Sequence, residues 1–109
     1  MKKPVSRGTG RLQQQQDDLG SVIDALLQMK TRDECRRFLL DLCTPAELTA
    51  FAERWRVCQL LEAGELSYRE IHAQTGVSVT TIGRVARFLL QEPHQGYALA
   101  LGRIKKKSR

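Results

Sequence analysis

Apolar positions recur along this chain at three- and four-residue intervals, with no sustained alternation, so the pattern predicts helices and no strand. Leu19, Val22, Ile23, Leu26 and Leu27 share one helical face, with Asp17 and Asp18 near the end where a helix favours negative charge. Thr31 with Glu34 reads as a capping box that opens a second helix, carrying Cys35, Phe38, Leu39 and Leu42 inward. Thr44 with Glu47 reads as another, with Pro45 at the first helical position, where its missing N–H costs nothing. Leu48, Phe51, Ala52, Trp55, Cys58 and Leu61 then form a stripe that stops at Gly64. Aromatic residues on such a stripe are read as core packing.

The most informative stretch runs from Ser67 to Leu90, SYREIHAQTGVSVTTIGRVARFLL. Ser67 and Glu70 cap a short helix whose inward residue is Ile71, and Gly76 can take the positive φ that ends a helix abruptly. Ser78 then caps a second helix, on which Ile82, Val85, Ala86 and Leu89 recur with helical period. Two short helices joined in this way predict a helix-turn-helix, the unit that sets its second helix into the DNA major groove. Any helical hairpin needs a cap, a glycine and an apolar stripe. What distinguishes this one is the other face of its second helix, where Val79, Thr80, Thr81, Gly83 and Arg84 are small, hydrogen-bonding or basic. Such residues can approach base edges and thymine methyls without repelling phosphate. The fifth position of such units is usually small, and here it is His72.

Pro93 ends that helix, and Gly96 to Ile104 predicts a short last one with Tyr97, Leu99, Ala100, Leu101 and Ile104 apolar. The expected fold is all-α, about six helices in one domain spanning 17–104. Residues 1–16, with Pro4, Gly8, Gly10 and the run Gln13 to Gln16, read as a flexible basic arm, and 105–109 as a basic tail.

The net charge of +6 suggests nucleic acid, but its distribution carries more than its sum. Lys2, Lys3, Arg7, Arg11, Arg103, Lys105, Lys106, Lys107 and Arg109 lie in the two ends, which hold no acidic residue. Residues 12–102 hold nine basic against twelve acidic residues, a net charge of −3. Within that acidic body, Ser67 to Leu90 is a positive island, with Arg69, Arg84 and Arg87 against Glu70 alone. The ends can hold phosphates in a salt-dependent way or be solvated tails.

No apolar run precedes Leu19 to mark a signal peptide, and none approaches the roughly 18 to 20 residues of a membrane span. Cys35, Cys43 and Cys58 are odd in number and show no Cys-x-x-Cys spacing, which fits free thiols in a reducing cytosol. Neither His72 nor His94 stands at a ligand-like spacing to them, so no metal site is expected. No nucleophile and base fall into a recognisable arrangement, so no enzyme and no cofactor are expected.

Several runs together resemble one known family. LCTPAE at 42–47, AERWRV at 52–57, LLEAGELSYREI at 60–71 and TIGR at 81–84 resemble the Trp repressor family. TGVS at 75–78, Arg84-Val85 and Gly96-Tyr97 bring the chain nearest to the Trp-repressor-like branch called YerC/YecD. The resemblance covers residues 19–104 and leaves both ends outside. It implies an intertwined all-helical homodimer that binds double-stranded operator DNA, as a cytoplasmic, nucleoid-associated bacterial regulator, a repressor by family. A small domain gains from such pairing, and two-fold symmetry would set two recognition helices about one DNA turn, ~34 Å, apart. With the charge map, the expected DNA-binding residues are Arg69, Ser78, Val79, Thr80, Thr81, Gly83, Arg84 and Arg87.

The resemblance also implies a candidate effector pocket at Thr44, Arg54, Arg84, Val85 and Phe88. A threonine and two arginines that border a bound tryptophan in the family match Thr44, Arg54 and Arg84. The residues that leave room for its ring are small in the family, and here they are Val85 and Phe88. Overfilling an apolar site costs on the order of 1 to 3 kcal/mol, so L-tryptophan is not the expected effector. Arg54 and Arg84 could serve a small anionic effector instead, or pair with nearby carboxylates. The competing reading is a helical dimerisation or protein-interaction module without specific DNA binding.

Overall fold

A computed structural model describes residues 9–107. Every regular element among them is an α-helix: α1 Thr9–Gln28, α2 Arg32–Leu42, α3 Pro45–Ala63, α4 Tyr68–Thr75, α5 Val79–Leu90 and α6 Gly96–Lys107. The chain is all-α, as its apolar period predicts. The helices fall into two compact units, Met1–Thr44 and Pro45–Arg109.

In the first unit α1 begins at Thr9, so residues 9–16 of the expected flexible arm are helical, while residues 1–8 lie outside the described residues. Glutamine is a good helix former, and its amide can bond a carboxylate one turn on. Gln13 Nε2 donates to Asp17 at 3.1 Å, and Gln14 Nε2 donates to Asp18 at 2.9 Å. At the start of α2, Thr31 Oγ1 accepts from Glu34 N at 3.1 Å. The Glu34 carboxylate takes the Lys30 N–H at 2.8 Å, one residue before the cap, so the expected box closes one position early. No described residue of this unit is buried, and Leu12, Leu19 and Leu27 are 63%, 60% and 74% exposed.

The second unit is built around α5, which packs on α3, α4 and α6. Its buried centre is Val57, Cys58, Ile71, Val77, Ile82 and Val85, with Trp55, Leu60, Leu61, Leu66, Leu89, Tyr97 and Leu101 packed around it. Full burial of an isoleucine or valine stabilises by about 1.5–3 kcal/mol, so this cluster is what fixes α5 against α3 and α4. Only the C-terminal half of the α3 stripe is used. Phe51 is exposed, and the Arg54 guanidinium lies 5.9 Å above its ring. Burial, reinforced by Glu62, pushes the Cys58 thiol up to about 11.

The last helix extends to Lys107, so Lys105 to Lys107 of the expected tail are helical, and residues 108 and 109 lie outside the described residues. Cations are favoured at a helix C-terminus, and Lys105 forms an ion pair with Glu62 at the end of α3. No helix among the described residues is long and apolar enough to cross a membrane.

Candidate nucleic-acid interface

The predicted two-helix unit forms with the predicted boundaries: α4 runs Tyr68–Thr75 and α5 runs Val79–Leu90. At the start of α4 both halves of the capping box are made. Glu70 N donates to Ser67 Oγ at 3.2 Å, and Ser67 N donates to Glu70 Oε1 at 2.9 Å. The Ser67 backbone N–H, and after it the Ser67 side chain, favour the ionised carboxylate and hold the Glu70 pKa below its usual value. Ile71, one residue on, is fully buried.

Gly76 ends α4 at φ 75°, and its N–H donates to His72 O. At this angle a residue with a Cβ would be strained, and glycine, which is not, lets the chain leave the helix and reverse here. Ser78 caps α5 by accepting from Thr81 N at 3.1 Å, and its own hydroxyl donates to Thr81 Oγ1 at 3.0 Å. Ser78 is therefore engaged in starting the helix. Thr81, half-buried, still carries its own hydroxyl hydrogen as a donor.

The burial of Ile82, Val85 and Ala86 turns one face of α5 to the core. It leaves Val79, Thr80, Arg84 and Arg87 exposed and Gly83 half-buried, with no acidic side chain within the helix. Arg69 is exposed on α4. Gly83 has no packing reason to be glycine: a Cβ there would meet nothing within 4 Å. The two arginines of α5 are restrained. The Arg84 guanidinium stacks 4.3 Å from the centre of the Phe88 ring. Arg87 lies 5.1 Å from the same ring and pairs with Glu92 at 3.8 Å.

The residues proposed for an effector pocket do not all line open space. Val85 is fully buried among the core residues and belongs to packing. Thr44 lies in the first unit, while Arg54, Arg84, Val85 and Phe88 lie in the second. Arg84 and Phe88 line a cavity of about 250 Å³ with His94, Gln95, Gly96 and Tyr97 at the start of α6. Sequence reasoning missed the last four. The signal that could have found the Arg84–Phe88 stack was their four-residue spacing, which puts them one turn apart on the same helix face. No group of His, Cys, Asp or Glu among the described residues is arranged to hold a metal ion.

Comparison with known proteins adds to this geometry. The model of the family described as Trp repressor protein matches residues 6–105. The chain is 38% identical over 88 residues to the uncharacterized protein YerC of Bacillus subtilis (strain 168), an alignment covering 81% of this chain and 83% of YerC. A crystal structure of a candidate Trp repressor from Staphylococcus aureus superposes with a TM-score of 0.74 at 31% identity, covering 82% of this chain and 87% of that one. With a family model matched across nearly its whole length and a helix-turn-helix in the matched region, the chain belongs to the Trp repressor family.

Proposed function

We propose that this protein is a sequence-specific DNA-binding transcriptional regulator, a repressor, that acts as a homodimer and does not respond to tryptophan. The observation that carries the reading is the outward face of α5. It is a capped helix offering Val79, Thr80, Gly83 and Arg84 outward and no carboxylate. Small and hydroxyl side chains suit base edges, and Arg69, Arg84 and Arg87 suit phosphate or a guanine edge.

Dimer formation is supported by the first unit, whose described residues include several large exposed apolar side chains and no buried one. An isolated helix pair of that kind loses chain entropy without burying enough apolar surface to offset it. Tryptophan independence is supported by two side chains. Val85 fills the core, and Phe88 already stacks on the Arg84 guanidinium, so an indole would have to displace the chain's own ring. Titration calorimetry with L-tryptophan checks this point, and micromolar binding would sink it.

Alanine at both Thr81 and Arg84 tests the main reading. Sequence-specific DNA binding should disappear while dimer mass and helix content stay unchanged. Retained specific binding would move the DNA contact elsewhere. A native protein that selects no DNA at all would favour a helical interaction module.

A further inference from the structure

The turn between α4 and α5 is held almost entirely by residues of α4. Gly76 N donates to His72 O at 2.8 Å. Thr75 Oγ1 donates to Ile71 O at 2.7 Å and accepts from Val77 N at 3.0 Å. The Val77 carbonyl is taken by His72 Nδ1 at 2.7 Å. A carbonyl can only accept, so Nδ1 carries the hydrogen.

Val77 is thus fixed on three sides: its side chain is buried in the core, and both its backbone polar groups are bound by side chains of α4. The next residue, Ser78, is the cap from which α5 starts. The orientation of the Val77 peptide groups therefore sets the direction in which α5 leaves the turn. An exposed histidine on a short helix would ordinarily be a solvated side chain. Here its ring is directed back onto the turn, at the position where such units usually hold a small residue.

We infer that His72 and Thr75 are positioning residues for DNA recognition, a side-chain clamp that holds α5 at the angle at which Val79, Thr80 and Gly83 meet base edges. The inference rests on the proposed DNA-binding function, and neither residue needs to touch DNA. Angular error at the turn is amplified along α5, whose 12 residues span about 18 Å. A tilt of about 10° at its start displaces Gly83, about 6 Å along the helix, by roughly 1 Å, about twice the ~0.5 Å tolerance of a recognition geometry. Long arginine side chains can follow such a shift to phosphate, whereas short ones cannot follow it to a base. Loss of the clamp should therefore lower specific binding far more than non-specific binding.

The test uses the full chain with His72→Leu and Thr75→Val, which remove the polar atoms at similar bulk. His72→Asn and Thr75→Ser serve as rescues, since the asparagine amide nitrogen can stand near the Nδ1 position. Fluorescence anisotropy compares a duplex enriched by the native protein from a random pool with an unrelated duplex of the same length. His72→Leu and Thr75→Val should each lose about three- to tenfold in affinity for the enriched duplex, the scale set by the one hydrogen bond to the Val77 peptide that each removes. Binding to the unrelated duplex should stay within about twofold, and both rescues should recover most of the loss. Equal losses on both duplexes, or an asparagine variant as weak as the leucine one, would overturn the positioning role.

A second measurement needs no DNA. Nitrogen-15 spectra at pH 8 should show His72 as the Nδ1–H tautomer, and the Val77 amide should exchange with solvent at least about tenfold faster in Thr75→Val. An Nε2–H tautomer or unchanged exchange overturns the clamp itself. If instead the clamp is present and the native protein selects no duplex, the DNA-binding function has failed and the positioning role falls with it.

Discussion

Replacing Gly83 by alanine separates what α5 needs in order to fold from what it needs in order to read DNA. Gly83 lies inside α5, and a Cβ there would meet no heavy atom within 4 Å. Glycine in a helix interior is about 0.8–1 kcal/mol less favourable than alanine, chiefly through backbone entropy, so Gly83→Ala should raise stability by that amount per chain. For domains of this size 1 kcal/mol corresponds to a Tm shift of about 4–8 °C, so an increase of at least about 3 °C is expected in circular dichroism melting. In the complex the same methyl would stand on the face proposed to approach base edges. A steric cost of about 1.4 kcal/mol would weaken specific binding tenfold, a change that anisotropy resolves easily. The expected variant is thus more stable and a poorer DNA binder. One that is more stable and binds DNA as well as its parent would refute the close approach of α5 at Gly83. One that is less stable would refute the open space around it.

Other consequences follow from single features. Glutamate at Leu27, which is 74% exposed on α1, should convert the proposed dimer to a monomer in light scattering; a native protein that is itself monomeric would contradict the pairing. The Glu70 carboxylate is held below its ordinary pKa of 4.5 by the Ser67 N–H and then the Ser67 hydroxyl. A depressed acid stabilises the fold above its ordinary pKa and loses that contribution as pH falls through the lowered one. Helix content followed from pH 5 downward should therefore fall less steeply in Glu70→Gln; identical slopes would count against the capping box. With its pKa raised to about 11, the Cys58 thiol stays neutral at pH 8, and its folded-state contribution is lost only as pH climbs towards that value. It should resist a thiol reagent at pH 8 in the native protein and react fully in denaturant, whereas rapid native reaction would mean that it is not buried.

Much of the second unit was legible in the residues because its determinants are local. Ser67, Glu70, Gly76 and Ser78 act within four positions of themselves, and their caps and turn form as the spacing predicts. Ile82, Val85 and Ala86 of α5 fall on a period that only one packing face satisfies. The early start of α1 was hidden because glutamines carry no apolar period, and what stabilises that turn is hydrogen bonding from Gln13 and Gln14 to Asp17 and Asp18. At α2 the Glu34 side chain had a choice of two nearby N–H groups, and a motif cannot say that Lys30 wins.

The site was less legible than the fold. The exposed residues of α5 follow from its buried face, so exposure of Val79, Thr80 and Arg84 could be anticipated. Val85 is legible as core from its place on the inward stripe of α5, and it is fully buried there. His72 stood out only as a departure from a small residue. Its bond to Val77 O depends on how the turn folds back over α4, which no local pattern of residues encodes.

The most direct measurement is selection of bound duplexes from a random DNA pool by the purified native protein at physiological salt. The expected result is a two-fold symmetric motif with half-sites about 10 base pairs apart, centre to centre, lost when Thr81 and Arg84 are alanine. Recovery of unselected DNA only, or of a motif that survives that double substitution, would contradict a recognition role for α5.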